Sequence, residues 1–147
     1  PTAKIPTYVT ECAAGADLYA DIEKSVYIKE NETHMIGTGV AMEIPSGYVG
    51  LVFARSGLSC KHGLAPANKV GVIDSDYRGE IKVALHNHEK YTDPQDVSED
   101  YIKRHTINPG DRIAQIVIVP YVAAEFTIDD ISDTARGDGG FGSTGNS

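Results

Sequence analysis

Cysteine is scarce in this chain, which carries only Cys12 and Cys60 among its 147 residues. Two cysteines build neither a disulfide framework nor a four-ligand zinc site, so a reducing compartment is the simplest setting. Basic residues are also in deficit: 13 Lys and Arg stand against 21 Asp and Glu, and the formal net charge is -8. This balance argues against attraction to a nucleic-acid backbone, so an anionic ligand must be small and held by a few placed cations and amides.

Long apolar runs are missing as well. No positively charged start followed by an apolar segment opens the sequence, and no stretch approaches the length of a membrane span. We therefore expect a cytoplasmic, or at least intracellular, protein with no membrane partner and no nucleic-acid partner. The length suits one domain with a real core, and neither an internal repeat nor a linker divides the chain.

What is present is mostly strand-forming sequence. Turn sequences such as "IPSGY", "RSGL" and "NPGD" separate segments that are rich in β-branched and aromatic residues. Without a long helical periodicity, this pattern predicts an all-β sandwich or barrel. The predicted strands are 26–30, 37–45, 48–54, 79–88, 112–122 and 124–128.

One segment, 93–106, departs from the strand pattern. Ser98 could cap a short helix there, with acidic residues in its first turn and basic residues in its last, which is the charge order that a helix dipole favours. We expect this segment to be an excursion on the surface.

The C-terminal run 136–147 has glycine at every second or third position. A frayed terminus is one interpretation. The other is a loop whose backbone NH groups wrap a phosphate while a ring covers something flat, because one arginine, one phenylalanine, one serine and one threonine stand among the glycines. The run is not a Walker loop, since it lacks the G-K-[ST] signature.

Three polar stretches stand at the ends of apolar segments. Asp74 follows "VGVI", where a carboxylate at the edge of the core could hold a water as a base. The run 55–57 joins a guanidinium, a hydroxyl and free backbone amides, which suit a phosphate, and Gln115 could donate to another phosphate oxygen. Each stretch also fits an ordinary turn or strand edge, so each signal is weak by itself.

His86 and His88 lie on one face of a predicted strand, a spacing that some metal sites use. No third ligand with a recognisable spacing accompanies them. A polar strand end is therefore favoured over a transition-metal site.

Taken in order, "AGADLYA", "ARSGLS", "GVIDSDYRGEI", "GDRIAQIV" and "RGDGGFGSTG" resemble the five motifs of the trimeric dUTPases, the deoxyuridine triphosphate nucleotidohydrolases. The resemblance runs from about Ala14 to Gly145. It implies a distorted jelly-roll-like β-barrel over 1–135, a flexible lid over 136–147, Mg2+ as cofactor and a homotrimer with composite active sites. It also implies hydrolysis of dUTP to dUMP and pyrophosphate.

The resemblance implies roles for residues on the phosphate side of the site. Asp17 matches the acidic residue that approaches magnesium through bound water. The second-motif phosphate binders correspond to Arg55, Ser56 and Gly57, and a phosphate donor of the fourth motif corresponds to Gln115.

On the nucleoside side, the resemblance makes Asp74 the carboxylate that orients and deprotonates the attacking water. Asn68 matches the reader of the uracil edge, Tyr77 the ring that leaves no room for a 2′-hydroxyl, and Lys82 a basic position near the substrate. The hairpin backbone that completes the base pocket corresponds to Gly71, Val72 and Ile73.

In the tail, Arg136 resembles the cation on the terminal phosphates and Phe141 the ring that stacks on uracil. The donors that close over the triphosphate correspond to Gly142, Ser143 and Thr144.

Two departures accompany the match. Ala54 stands where the family usually has a proline before the second-motif arginine, and the segment 89–108 is longer than in compact members. A neighbouring subunit, another protein or no partner at this segment are all left open by the sequence. A dCTP deaminase of the same fold and a nucleotide-responsive protein-binding module are the alternative functions. The complete tail and Asp74 in the base position argue against the deaminase.

Overall fold

The computed structural model describes residues 2–89 and 105–140. Within these residues the chain forms nine strands and one helix. In chain order they are β1 Ala16–Tyr19, β2 Val26–Ile28, β3 Thr33–Gly37, β4 Tyr48–Phe53, α1 Ser56–His62, β5 Leu64–Pro66, β6 Val70–Ile73, β7 Lys82–Asn87, β8 His105–Ile107 and β9 Arg112–Pro120.

The strands form three antiparallel sheets, with the orders β1-β9-β4-β6, β2-β8 and β3-β7-β5. β9 is the longest strand and pairs with β1 on one side and β4 on the other. β6 adds to the far side of β4. This order brings the first, second, third and fourth sequence motifs to neighbouring strands or strand ends.

The core lies between these sheets and is aliphatic. Alternation along β7 turns Val83, Leu85 and Asn87 inward, while the residues between them are more exposed. The buried amide of Asn87 donates to the Ile28 carbonyl over 3.1 Å, so its burial leaves that donor satisfied. The buried apolar cluster includes Leu18, Ile28, Ile36, Leu64, Ile81, Leu85, Ile107, Ile113 and Ile116.

The all-β prediction is confirmed, but two predicted strands are wrong. Residues 38–45 form no ladder in the described structure, because irregular bonds replace one: the Thr38 hydroxyl donates to the Ile81 carbonyl, and the Ile81 amide donates to the Val40 carbonyl. The segment 124–128 belongs to an arm, 121–138, in which every residue is exposed. An apolar alternation needs a partner strand, and the described part of this chain offers the arm none.

Helix α1 is an element that the sequence interpretation missed, since it treated "RSGL" as a turn. The amides of Leu58 and Ser59 both bond to the Arg55 carbonyl, which starts the helix, and Gly63 ends it in the left-handed region at φ 58°. The short strands β1, β5, β6 and β8 were also not among the predicted segments, and β3 shares only Gly37 with the predicted strand 37–45.

The predicted helix of 93–106 lies largely outside the described residues, but its last two residues are described. His105 and Thr106 belong to β8 and pair with β2, so the predicted helix does not extend to its expected end. Of the predicted lid, 136–140 is described and 141–147 is not, so the division at 135 stays a prediction. In the described ranges, no helix is long and apolar enough to cross a membrane.

Candidate active site

Asp17 is a nearly buried carboxylate, 6% exposed, at the centre of β1. Its Oδ1 accepts from Nε of Arg55 over 2.9 Å, and its Oδ2 accepts from Nη1 of Arg112 over 3.2 Å. A buried carboxylate is costly unless it is paired, and two guanidiniums meet that cost here. A single side chain thus fixes two arginines that come from the ends of different strands.

The start of α1 lies beside these arginines. Arg55 occupies the N-cap position, and Ser56 and Gly57 follow in the exposed first turn, where helical NH groups have no partner within the helix. A Cβ added to Gly57 would meet nothing within 4 Å, so the space above this turn is open. The arrangement offers a guanidinium, a hydroxyl and backbone NH groups to one anion.

Gln115 joins this group through the sheet register, which places it directly across from Asp17. Its Nε2 donates to the Ala54 carbonyl over 3.0 Å. Its Oε1 would lie 2.6 Å from a Cβ on Gly15, the residue before β1, so a side chain at that position would displace the end of the glutamine. The structure therefore brings the predicted phosphate-side residues Asp17, Arg55, Ser56, Gly57 and Gln115 together.

Asp74 directly follows β6, in a turn closed by the Tyr77 amide bonding to the Asp74 carbonyl over 3.1 Å. Because the turn carries it past the end of the strand, Asp74 is exposed in the single chain rather than set into the core edge. It lines two cavities: one of about 570 Å³, shared with Tyr48, Asp76 and Tyr121, and one of about 430 Å³, here called the Asp74 cavity. The Asp74 cavity is lined by Met35, Val72, Ile73, Asp74, Tyr77, Glu80, Ile81 and Lys82.

The Tyr77 ring forms one wall of this cavity and is 44% exposed. Its hydroxyl donates to the Glu80 carbonyl over 3.0 Å. The ring lies against Gly79 so closely that any side chain there would collide with it. Ring and turn are therefore fixed by the local sequence "DYRGE".

Asn68 lies in a turn that precedes β6. The Lys69 amide bonds to the Pro66 carbonyl, and Lys69 has a positive φ of 66°. The Asn68 amide nitrogen would lie 3.6 Å from a Cβ on Gly71, so the asparagine side chain leans over the glycine of the hairpin. Asn68 and Gly71 form a second small group beside the Asp74 cavity rather than part of its lining.

The described part of the tail is not packed on either group in the single chain. Arg136 lies in the fully exposed arm, and its Nε donates locally to the Gly139 carbonyl over 2.8 Å. The predicted tail residues Phe141, Gly142, Ser143 and Thr144 lie outside the described residues.

Two residues of the site were not assigned by the sequence. Arg112 heads β9 in the quoted fourth motif, but only its register against β1 shows that it reaches Asp17. Glu80 is the penultimate residue of the quoted third motif, and it lines the Asp74 cavity and pairs with Lys82. The Arg112 contact joins segments that lie far apart in sequence, and the pair of Glu80 with Lys82, two positions later, depends on how both side chains are oriented.

His86 and His88 are close, with ring centroids 4.4 Å apart. His86 Nδ1 lies 2.9 Å from the Thr33 hydroxyl, and His88 Nε2 lies 3.3 Å from Nζ of Lys69. Burial lowers the pKa of His88 from 6.5, and the charge of Lys69 and the charge of His86 add to that shift. Over residues 2–89 and 105–140, no group of three or more His, Cys, Asp or Glu side chains could hold a metal ion.

Comparison with known proteins places this geometry in a family. The family model described as dUTPase matches residues 2–145. The chain belongs to the dUTPase family. It is similar to the deoxyuridine 5′-triphosphate nucleotidohydrolase of Desulfitobacterium hafniense strain DSM 10664 / DCB-2, at 49% identity over 97% of this chain and 87% of that protein.

Solved dUTPase structures share the fold. The Staphylococcus bacteriophage 80alpha dUTPase with dUPNHPP has a TM-score of 0.79 and 32% identity, covering 99% of this chain and 94% of that one. A variant of the dUTPase of S. aureus phage phi11, described with a structural Mg(II) ion, has a TM-score of 0.73 and 30% identity over 88% of this chain and 92% of that one. The predicted jelly-roll-like fold is confirmed by this likeness.

Proposed function

We propose that this chain hydrolyses dUTP to dUMP and pyrophosphate. The observation that carries the proposal is the cavity at the end of β6, where a carboxylate, Asp74, meets the flat ring of Tyr77 and the ammonium of Lys82. Membership of the dUTPase family indicates the substrate. The cavity places a candidate base, Asp74, beside a ring that could pack against the sugar, Tyr77. The dUMP formed is the substrate for thymidylate synthesis, and removal of dUTP keeps uracil out of DNA.

In the proposed mechanism, Asp74 orients a water molecule and takes its proton. The water oxygen forms a bond to the α-phosphorus, the bond from that phosphorus to the bridging oxygen breaks, and pyrophosphate leaves with the electron pair. Phosphoryl transfer needs little covalent chemistry from a protein, so positioning and charge do most of the work. The exposure of Asp74 suits this role, since its water must enter with the substrate.

The phosphate chain is proposed to lie at the start of α1. Arg55 offers a guanidinium, Ser56 a hydroxyl, Gly57 an open backbone amide, and Gln115 the second hydrogen of its amide. Asp17 holds the side chains of Arg55 and Arg112 in place before substrate binds. Binding therefore loses less side-chain entropy than it would with mobile arginines.

The uracil is proposed to meet Asn68 and the hairpin of Gly71, Val72 and Ile73. A pocket whose buried polar groups pair with the uracil edge leaves them unpaired with cytosine, and a tight wall rejects the methyl of thymine. Tyr77 packs under the deoxyribose and leaves no room for a 2′-hydroxyl.

Magnesium fits this site as a companion of the triphosphate rather than as a resident ion. Both carboxylate oxygens of Asp17 already accept from arginines, and no cluster of three ligands was found over the described ranges. A water on Asp17 remains the contact that the family resemblance implies. When bound, the ion neutralises phosphate charge.

We propose a homotrimer in which the arm of one chain serves a site on another. The arm carries four strongly exposed apolar side chains in the single chain: Val122, Phe126, Ile128 and Ile131 are each 92% exposed or more. An exposed apolar surface of this kind is typical of a site that packs against another protein chain. The tail would then close over a triphosphate as a lid, with contacts from Arg136, Phe141, Gly142, Ser143 and Thr144. We propose a cytoplasmic setting for the protein.

A second role as a nucleotide-responsive protein-binding module stays an alternative for the 89–108 segment, most of which lies outside the described residues. A dCTP deaminase is the other alternative. Ammonia release from dCTP would identify the deaminase, and pyrophosphate release from a panel of dUTP, dCTP, dTTP and UTP with magnesium tests the proposal.

The role of Asp74 is tested by Asp74→Asn, with Asp76→Asn in the same turn as the matched control. We expect Asp74→Asn to lower kcat at least about a thousandfold while dUTP binding stays largely intact, because the amide cannot take a proton. Asp76→Asn should stay within a few-fold of the unaltered enzyme. Near-normal turnover by Asp74→Asn would remove this residue from the mechanism.

A further inference from the structure

Glu80 contacts three other residues around the Asp74 cavity. Its Oε1 accepts from the Gly39 amide over 2.9 Å, and its Oε2 lies 3.4 Å from Nζ of Lys82. Its main-chain oxygen accepts the Tyr77 hydroxyl. One residue therefore connects the β3 end, the ammonium in the cavity and the ring of the cavity wall.

The neighbouring backbone is shaped to hold this carboxylate. A Cβ on Gly37 would lie 2.6 Å from Oε1 of Glu80, so glycine leaves the room that the carboxylate fills. The segment beside it is fixed from the core side, because the buried Thr38 hydroxyl donates to the Ile81 carbonyl over 2.6 Å. Glu80 is thus anchored on one oxygen and free to direct a cation with the other.

Lys82 is the cation that it directs. The lysine side chain is 53% exposed and has four carbons to rotate, so without a partner it would sample many positions around the cavity. An ammonium has three donors, and the pair with Glu80 leaves the others available to a substrate oxygen. We infer that Glu80 is a positioning residue, which acts on substrate binding by holding the Lys82 ammonium toward the cavity that contains Asp74.

This inference rests on the proposed contact of Lys82 with substrate, and four variants separate the two. Glu80→Gln keeps an oxygen for the Gly39 amide but removes the negative charge facing Lys82. Glu80→Ala removes both, Lys82→Ala removes the ammonium, and the fourth variant combines Glu80→Gln with Lys82→Ala. Glu43→Gln is the control, since Glu43 is an exposed carboxylate 3.8 Å from Arg78 and does not line the cavity.

Steady-state hydrolysis of dUTP with magnesium gives kcat and KM for each variant, and thermal unfolding gives Tm. Lys82→Ala should raise KM about tenfold, the size of one charge-assisted hydrogen bond. Glu80→Gln should raise KM about three- to fivefold with kcat within about twofold and an unchanged Tm, which is the range for an exposed ion pair. On the Lys82→Ala background, Glu80→Gln should add nothing. Glu80→Ala should also lower Tm.

Each result decides between the roles. If Lys82→Ala changes KM but Glu80→Gln does not, Glu80 is a structural anchor for Gly39 and the inference is overturned. If Glu80→Gln raises KM equally with and without Lys82, Glu80 acts by a route that avoids the lysine, and the inference is also overturned. If Lys82→Ala leaves KM unchanged, the proposed substrate contact of Lys82 fails, and the inference fails with it.

Discussion

Several side chains of the site are oriented by main-chain oxygens. The Tyr77 hydroxyl bonds to the Glu80 carbonyl, the Gln115 amide to the Ala54 carbonyl, and Arg55 Nη1 to the Arg112 carbonyl over 3.4 Å. A backbone oxygen in a strand or turn moves little, so these side chains are set in place before any ligand arrives. Substitutions that keep a side chain's volume but remove its polar tip can therefore separate shape from orientation.

Tyr77 allows such a separation. Tyr77→Ala should lower the ratio of dUTP to UTP hydrolysis at least about tenfold, because it removes the ring that we propose excludes the 2′-hydroxyl. Tyr77→Phe keeps the ring and loses only the bond to the Glu80 carbonyl, so its ratio should stay within about threefold of the unaltered enzyme. The ratio of kcat/KM for the two nucleotides is the measurement. An unchanged ratio in Tyr77→Ala would mean that the sugar is selected elsewhere.

His88 predicts a pH dependence of stability. Its pKa is lowered from 6.5, chiefly by burial and then by Lys69 and His86, so the folded chain binds fewer protons than the unfolded chain just below pH 6.5. Stability from this group is therefore complete above pH 6.5 and is lost as the pH falls through the lowered pKa. The imidazole is largely exposed, so we expect a small effect.

The measurement compares the unaltered chain with His88→Gln. Thermal unfolding between pH 7.5 and about pH 5.5 should show a larger fall of Tm in the unaltered chain, since glutamine does not titrate. An equal fall in both proteins would show that the acid sensitivity comes from other groups.

At the scale of elements, the ends of β7 and β8 decide how the 89–108 segment is attached. Glu89 follows β7, and its Oε2 lies 3.4 Å from Nε2 of His105, the first residue of β8. The two ends of the segment between them are therefore close in space. A short connection can join them without disturbing either strand.

We predict that this segment can be removed. Deleting residues 92–103 and joining the ends with glycines should leave kcat/KM for dUTP within about threefold, because loop excursions tolerate changes in length. A variant of the original length with 92–103 replaced by Gly and Ser is the control for sequence alone. Loss of activity or of the oligomer in the deletion only would mean that the length of the segment is needed for assembly.

At the scale of the whole molecule, the described chain contains two sets of residues that we assign to the proposed active site, while its arm, 121–138, is exposed. The residues that we propose bind the phosphates lie around β1, β9 and α1. The Asp74 cavity lies at the end of β6. Every residue of 121–138 is exposed, and the arm meets Asp74 of its own chain through its first residue, Tyr121, which lines a shared cavity. The composite site in a trimer that we propose would give the exposed arm a partner surface.

Mixing two inactive chains tests the composite site. We expect an Asp74→Asn chain and a chain truncated after Ala135 each to be nearly inactive alone. The two chains are unfolded and refolded together in equal amounts. If the tail serves another chain, a site with an intact Asp74 and an intact tail arises in about one case in four, by independent assortment around a cyclic trimer. We expect about a quarter of the unaltered activity.

The control for this experiment is each chain refolded alone, together with proof that mixed oligomers form. Every chain in the mixture carries one of the two lesions. If the tail covered the hairpin of its own chain, no site could therefore have both an intact Asp74 and an intact tail. Absence of recovered activity in mixed trimers would therefore make the tail a lid for its own subunit.

The sequence by itself determined the fold class and predicted most residues of the proposed site. Turn chemistry and β-branched segments are local signals, and "YVGLVFA", "GEIKVALHNH" and "RIAQIVIVPYV" became β4, β7 and β9 with small changes of boundary. The five motifs, read in order, indicated the family, which the family model confirms, and predicted the site residues. Local composition also misled: 37–45 and 124–128 have strand composition, but a strand forms only where a partner is in register.

Only the tertiary structure decided which of those residues act on one another. Arg112 reaches Asp17 across 95 positions of sequence, and Glu80 reaches Gly39 across 41, because antiparallel pairing brings these segments side by side. Register is set by the burial of a whole sheet face, which no short stretch encodes. The two arginines on one carboxylate and the anchored partner of Lys82 are therefore properties of the folded chain.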